Sequence, residues 1–251
     1  VLSRRQRQMC IRDRSGREIF LYSFIFLFFL GGTLWVSTRQ KNLPLNISDG
    51  FIITTMFWVV LACAGSIPFY FFGLSIGDSI FESVSGITTT GATTIIGLDT
   101  LPKSILLYRQ LLQWIGGMGL IILAVAVMPA LGIGGGQLYK MELPGSHGNQ
   151  KLTPKITDSA KALWKIYVGL TVLCATLYLI SGMSLFDSIA HSLSTVAGGG
   201  FSTHDDSIGF FDSGLIETVC IVFMLLSAAS FAVHYAATVS YTHLRAHETE
   251  E

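Results

Sequence analysis

Residues 74–95 and 183–204 are two copies of one polar, glycine-bearing hairpin, LSIGDSIFESVSGITTTGATTI and MSLFDSIAHSLSTVAGGGFSTH, each set between long apolar stretches. At a constant offset of 109 residues and without a gap they match at Ser75/Ser184, Asp78/Asp187, Ser79/Ser188, Ile80/Ile189, Ser83/Ser192, Ser85/Ser194 and Gly91/Gly200. Gapless repetition at a fixed period implies duplicated structural units. In hydrocarbon, non-helical backbone is tolerated only where protein buries it or where it lines a watery cavity. Two such loops at equivalent positions of a repeat therefore point to a pore lining.

A pore lining of this kind needs a membrane around it, and the composition is that of a membrane protein. The chain is 51% hydrophobic and only 13% charged, with mean hydropathy +0.58, too apolar for an ordinary soluble domain of 251 residues. Sixteen basic and sixteen acidic side chains cancel, so no global field favours nucleic acid. Cys10, Cys63, Cys174 and Cys220 show neither CxxC nor metal spacing and read as small apolar-segment residues rather than a disulfide framework.

A membrane helix needs about 20 largely apolar residues to cross roughly 30 Å of hydrocarbon. Residues 19–36, 51–73, 108–133 and 214–237 approach that, as does 163–182, where Lys165 can snorkel to the interface. The expected fold is all-α integral membrane: one leading membrane helix, then two tandem membrane helix–pore loop–membrane helix repeats. The predicted divisions are a leading helix and loop over 17–50, a first repeat over 51–137, a cytoplasmic linker over 138–162 and a second repeat over 163–238. Lys140, Lys151, Lys155, Lys161 and Lys165 cluster in or beside the linker, whereas 183–213 carries no lysine or arginine. The linker is accordingly placed inside and the hairpin mouths outside, in agreement with Arg39 and Lys41. Arg4, Arg5, Arg7, Arg12, Arg14 and Arg17 oppose that orientation. The opening SRRQRQMCIRDR and closing VSYTHLRAHETEE do not continue the periodicity beside them, and 1–16 and 239–251 are read as foreign sequence. The alternative is a native basic arm and a native polar tail.

In the first hairpin, 78–87 reads as a short helix with Ile80, Phe81, Val84 and Ile87 at helical spacing and Asp78 as its N-terminal cap. Its partially negative C-terminal end is expected to point into the membrane centre. An extended strand, 88–93, then closes on Gly91, a residue able to take backbone angles others cannot. The second hairpin repeats the plan, with Asp187 as cap and 197–201 as strand. Successive carbonyls of such strands can replace the hydration shell of a monovalent cation. Neutral oxygens without a carboxylate ring suit potassium better than calcium or magnesium.

The segments FESVSGITTTGATT, LLYRQLLQWIGGMGLIILAVAVMP, GGGQLYKMELPG and IAHSLSTVAGGGFSTHDDSIGFFDS resemble the potassium-translocating subunit of the bacterial Trk system, the TrkH/TrkG branch of the Trk/Ktr/HKT cation transporter superfamily. The likeness runs from about Ile19 to about Tyr235 and includes linkers as well as hairpins. It implies four helix–loop–helix units around one pore in the bacterial inner membrane, each giving one filter strand with a central glycine. Gly91 and Gly200 would be those glycines, and the carbonyls of Thr89, Thr90, Gly91, Gly198, Gly199 and Gly200 would hold the potassium ion. Gly91, where sodium-preferring relatives have serine, favours potassium. The resemblance further implies a homodimer among membrane lipid and a TrkA-like cytoplasmic nucleotide-binding regulatory subunit. Only two of the four units are present, so the chain reads as an N-terminal half that alone would not support uptake. The alternatives are a sodium/potassium cotransporting relative or a non-functional fragment.

Other residues carry competing readings. Glu82 and Arg109 either pair behind the filter, since an unpaired charge at that depth is costly, or Arg109 is an interfacial arginine solvated by head groups. His191, at the position of Glu82, reads as a hydrogen-bonded structural group rather than a proton relay. His204, Asp205 and Asp206 either concentrate cations at the mouth or form a solvated outer loop. Gly116, Gly117, Gly119, Gly132 and Gly134 to Gly136 suggest close helix approach, since no GK[ST] follows for a phosphate loop. The Asn46 sequon falls on the cytoplasmic side and reads as inert. A membrane serine hydrolase using Ser85 or Ser202 with His191 is the remote alternative, disfavoured because no G-x-S-x-G surrounds either serine. The chain is expected not to be an enzyme.

Overall fold

The computed structural model describes residues 16–38, 47–119 and 156–228. Among them, α1 spans Gly16–Thr38, α2 Ile47–Phe72, α3 Ile76–Ile87, α4 Lys103–Gly117, α5 Ile156–Ile180, α6 Leu185–Ala197 and α7 Gly214–Ala228. Short 3-10 turns occupy Leu98–Thr100 and Ser207–Phe211. No strand occurs among the described residues, in keeping with the all-α membrane fold expected.

The offset of 109 residues seen in the hairpins extends to whole elements. The pairs α2/α5, α3/α6 and the two 3-10 turns begin 109 apart, and α7 begins two residues later than α4 would require. Even the turn into each short helix is shared. Gly73 and Gly182 have φ of +110° and +105°. Leu74 N bonds Phe69 O and Gly73 N bonds Tyr70 O, just as Met183 N bonds Tyr178 O and Gly182 N bonds Leu179 O. These are paired Schellman closures, which take glycine because an L side chain resists the left-handed region.

Windows long and apolar enough to cross a membrane lie at Glu18–Ser37, Thr55–Phe72 and Leu163–Ile180, with Gly214–Ala228 a shorter apolar helix. These coincide with four of the five expected spans. The remainders of the expected 108–133 and 214–237 spans, most of the 138–162 linker, Gly132, Gly134 to Gly136, Asn46 and both segments read as foreign fall outside the described residues, Gly16 excepted. The helix α4 begins at Lys103, five residues before its apolar run, because Pro102 ends the preceding loop and cannot continue a helix backwards.

One expectation about the short helices is corrected. Asp78 and Asp187 do not cap them. Ser75 and Ser184 do, each hydroxyl accepting from the backbone N–H of the aspartate three residues on, at 3.1 and 3.2 Å, while donating to that aspartate's carboxylate at 2.7 Å. A hydroxyl at the N-cap reaches the third amide of the helix, and a carboxylate in the first turn complements the dipole, so the cap lies three residues before the aspartate to which it was assigned.

The structure also decides which face of each short helix is inside. Ile80, Phe81 and Val84 are exposed, whereas Ser79, Glu82, Ser83, Ser85 and Gly86 are buried with Ile87. In α6, Leu185 and Ile189 are likewise exposed while Ser188, His191, Ser192, Ser194 and Thr195 are buried. Both short helices are inside out by the standard of a soluble protein. Their polar faces are satisfied by the molecule itself, as Ser83 Oγ donating to Ala62 O at 2.6 Å illustrates.

Two apolar clusters match the two repeats. Ile19, Phe69, Phe72, Ile87, Ile105 and Leu112 form one, and Met118, Tyr167, Cys174, Tyr178, Val196 and Phe223 belong to the other. The repeats join chiefly where α4 packs on α6. At that seam a Cβ on Gly117 would lie 3.1 Å from Ala197 Cα, and within the first repeat one on Gly116 would lie 2.0 Å from Ile87 O of α3, in line with the close approach expected of these glycines. The three described cysteines are free thiols.

Candidate ion-coordinating site

Each short helix ends in a backbone segment built to the same pattern. In the first, Thr89 and Gly91 have φ of +54° and +77°; in the second, Gly198 and Gly200 have +69° and +81°. Every second residue is reversed, and the reversed positions correspond at the offset of 109. The extended strands expected at 88–93 and 197–201 are thus not β structure. Reversing φ at alternate residues turns successive peptide planes, and glycine at three of the four positions lowers the steric cost.

The amides of these segments point back at their own helices. Thr89 N bonds Gly86 O at 3.0 Å and Thr90 N bonds Ser85 O at 2.9 Å, and Gly198 N bonds Thr195 O and Gly199 N bonds Ser194 O, both at 3.0 Å. No described residue donates a hydrogen bond to the carbonyls of Thr89, Thr90, Gly91, Gly198, Gly199 or Gly200. With Gly91 N adding a long bond to Ser85 O at 3.5 Å, most of the donors are consumed and these acceptors are left over. The two segments also touch: a Cβ added to Gly91 would fall 1.9 Å from Gly199 O.

Behind the first segment stands Glu82. Its Oε1 accepts from Thr93 Oγ1 at 2.5 Å and Thr94 N at 2.7 Å, and its Oε2 accepts from Arg109 Nε at 3.2 Å. Both charged side chains are fully buried, which removes the interfacial reading of Arg109. Ser85 Oγ adds a bond to Ala92 O at 2.6 Å. Behind the second segment His191 takes the place of Glu82 and Ser202 that of Thr93. His191 Nδ1 lies 2.9 Å from Asp187 O, a group that only accepts, so Nδ1 carries the proton and Nε2 accepts from Ser202 Oγ at 3.0 Å. The histidine is a hydrogen-bonded structural group, as expected.

That pair has the outward form of a serine and its base. Ser202 is buried and its oxygen also accepts from His204 N at 3.0 Å, so the hydroxyl is engaged both as donor and as acceptor within the loop. The correspondence with Glu82 and Thr93 shows what the clamp is for. It fixes the backbone after the glycine.

Sequence reasoning missed the residues that cross between repeats. Arg109 Nη1 donates to Ser202 O at 3.3 Å, its Cζ lies 4.2 Å from the Phe201 ring centre, and Gln113 Oε1 accepts from Phe201 N at 3.0 Å. The signal was present: Arg109 and Gln113 lie four apart on one face of an apolar helix. At the outer rim, Asp205 Oδ1 accepts from Gly97 N and Leu98 N at 3.1 and 3.0 Å, and His204 Nδ1 bonds Asp99. The His204 ring also stacks on Phe210 at 3.6 Å. His204 and Asp205 therefore fasten the two hairpins together, while Asp206 is exposed at the start of the second 3-10 turn. The Asp99 carboxyl is held below the usual carboxylate range, first by its hydrogen bond with His204. Among the described residues no group of three or more His, Cys, Asp or Glu side chains could hold a metal ion.

The comparisons with known proteins agree with this architecture. The TrkH family profile, described as "Cation transport protein", matches residues 16–249. The chain is 52% identical over 232 residues to the Trk system potassium uptake protein TrkH of Vibrio parahaemolyticus, covering 91% of this chain and 48% of that protein. It is 50% identical over 228 residues to the protein of the same name from Escherichia coli K12, covering 90% and 47%. The crystal structure of the potassium transporter TrkH from Vibrio parahaemolyticus matches with a TM-score of 0.74 and 48% sequence identity, over 91% of this chain and 46% of that one. The chain spans about half the length of the curated relatives it matches.

Proposed function

The chain belongs to the TrkH family of cation transport proteins, and on that premise we propose that it contributes two of the filter segments of a potassium uptake protein of the bacterial inner membrane. The observation that carries this reading is the pair of segments whose amides are spent inward and whose carbonyls at Thr89, Thr90, Gly91, Gly198, Gly199 and Gly200 have no donor. Carbonyl oxygens held at fixed spacing can replace the water around a dehydrated potassium ion. Clamps behind each segment oppose collapse onto a smaller ion. Potassium is here the transported ion rather than a resident cofactor.

The remaining half of the ring would come from two further units of the kind the relatives have room for. A homodimeric assembly among membrane lipid, with a nucleotide-binding regulatory subunit on the cytoplasmic side, fits a system named Trk. Gly91 carries no side chain into the segment, which supports potassium over a sodium-coupled variant.

The test is uptake by the chain completed with the second half of the Vibrio parahaemolyticus relative, in a host lacking its own potassium uptake. Rubidium uptake and growth on limiting potassium are expected, and Gly91→Ser should lower preference for rubidium over sodium. Uptake with unchanged preference after that substitution would overturn the site.

A further inference from the structure

The two repeats are equivalent in backbone but not in what holds their filter segments. The first has a buried carboxylate, Glu82, and the second a neutral imidazole, His191, at the same place. The helix α7 that ends the second repeat, Gly214–Ala228, contains no arginine, lysine, asparagine or glutamine. The second repeat therefore has no cation or amide of its own on that helix to hold its segment. Those of the first repeat reach across instead.

Resting on the filter reading above, we infer that Arg109 is a positioning residue for both filter segments at once, setting their mutual spacing and hence the discrimination between potassium and sodium. One guanidinium meets the first segment through Glu82, whose other oxygen holds Thr93 and Thr94, two and three residues past Gly91. The same group meets the second segment directly at Ser202 O and at the face of Phe201, two residues and one residue past Gly200. A planar fork with donors on three nitrogens can do this; a lysine ammonium, a point charge on a flexible stem, cannot span both. Glu82 also cancels the positive charge that would otherwise stand behind a cation path. Gln113, one turn along α4, completes the reach with its bond to Phe201 N and fills the space beside Gly199, where a Cβ would fall 2.4 Å from its Cδ.

The experiment uses the chain completed as above, with rubidium uptake measured alone and against rising sodium. Arg109→Lys keeps the charge and loses the bridge. Its preference for rubidium over sodium should fall by about tenfold, the effect of one charge-assisted hydrogen bond, while the amount in the membrane falls less. A variant that only folded poorly would lose maximal uptake and keep the unsubstituted preference. Should Arg109→Lys fail to reach the membrane, Glu82→Gln with Arg109→Gln leaves no buried charge and removes the same bridge, and its preference should fall likewise. Unsubstituted preference in either inserted variant overturns the inference. Absence of uptake by the unsubstituted protein would instead overturn the filter reading on which it rests.

Discussion

Arg109 Nε lies 3.2 Å from Glu82 Oε2, with both side chains fully buried. The pair links a helix of the first repeat to the backbone just beyond its central glycine, and through Ser202 O to the backbone beyond the other. A charge pair so placed is supported by what surrounds it: two hydroxyl or amide donors on Glu82 Oε1, a carbonyl and an aromatic face on the guanidinium. Its consequences for stability and for the two segments are open to measurement.

Breaking the pair from one side leaves a buried charge alone. Glu82→Gln or Arg109→Gln should each cost about 3–5 kcal/mol, and the two together distinctly less than the sum of the single losses. Thermal unfolding of the four proteins in detergent checks this. Strictly additive losses would show that the two charges do not depend on each other.

The equivalent glycines should differ in tolerance. Both have positive φ, so an alanine at either should cost about 1–2 kcal/mol in backbone strain. At Gly91 the new carbon also meets Gly199 O at 1.9 Å, whereas at Gly200 nothing lies within 4 Å. Gly91→Ala is expected to reduce the inserted, folded amount more than Gly200→Ala, read by size-exclusion profile and unfolding temperature.

The capping assignment separates serine from aspartate. Ser75→Ala and Ser184→Ala each remove the side-chain acceptor for a helix amide and should destabilise by about 1 kcal/mol. Asp78→Asn leaves that acceptor in place and should cost less than Ser75→Ala. The reverse order in denaturation would restore the aspartate as cap.

The rim contact between Asp99 and His204 predicts a pH dependence. The Asp99 carboxyl titrates below its ordinary value of 3.8, so its contribution is complete above about pH 4 and is lost as the pH falls through its lowered value. Asp99→Asn should therefore lower the unfolding temperature at neutral pH and make no difference once the wild-type carboxyl is protonated. An equal offset across the whole acid range would show that the contact is not ionic in origin.

Much of this protein was legible in its letters. The duplication, the membrane helices at 18–37, 55–72 and 163–180, the interrupted segments and their central glycines follow from apolar run length and from one constant offset, properties that local sequence carries. The pairing of Glu82 with Arg109 was one of two readings, because hydropathy shows that a charge lies deep but not what it touches. Tertiary structure alone decided which face of each short helix is inside. Ile80, Phe81 and Val84 match a helical apolar face, yet α3 buries its serines and Glu82, because in a membrane protein the interior is where polar groups find donors and the outside need not be water. It also decided the crossing of Arg109, Gln113 and Asp205 from one repeat to the other. Partners about 90 to 110 residues apart are brought within 3.3 Å only by the packing of α4 on α6, and no periodicity along a chain encodes the distance between two of its repeats.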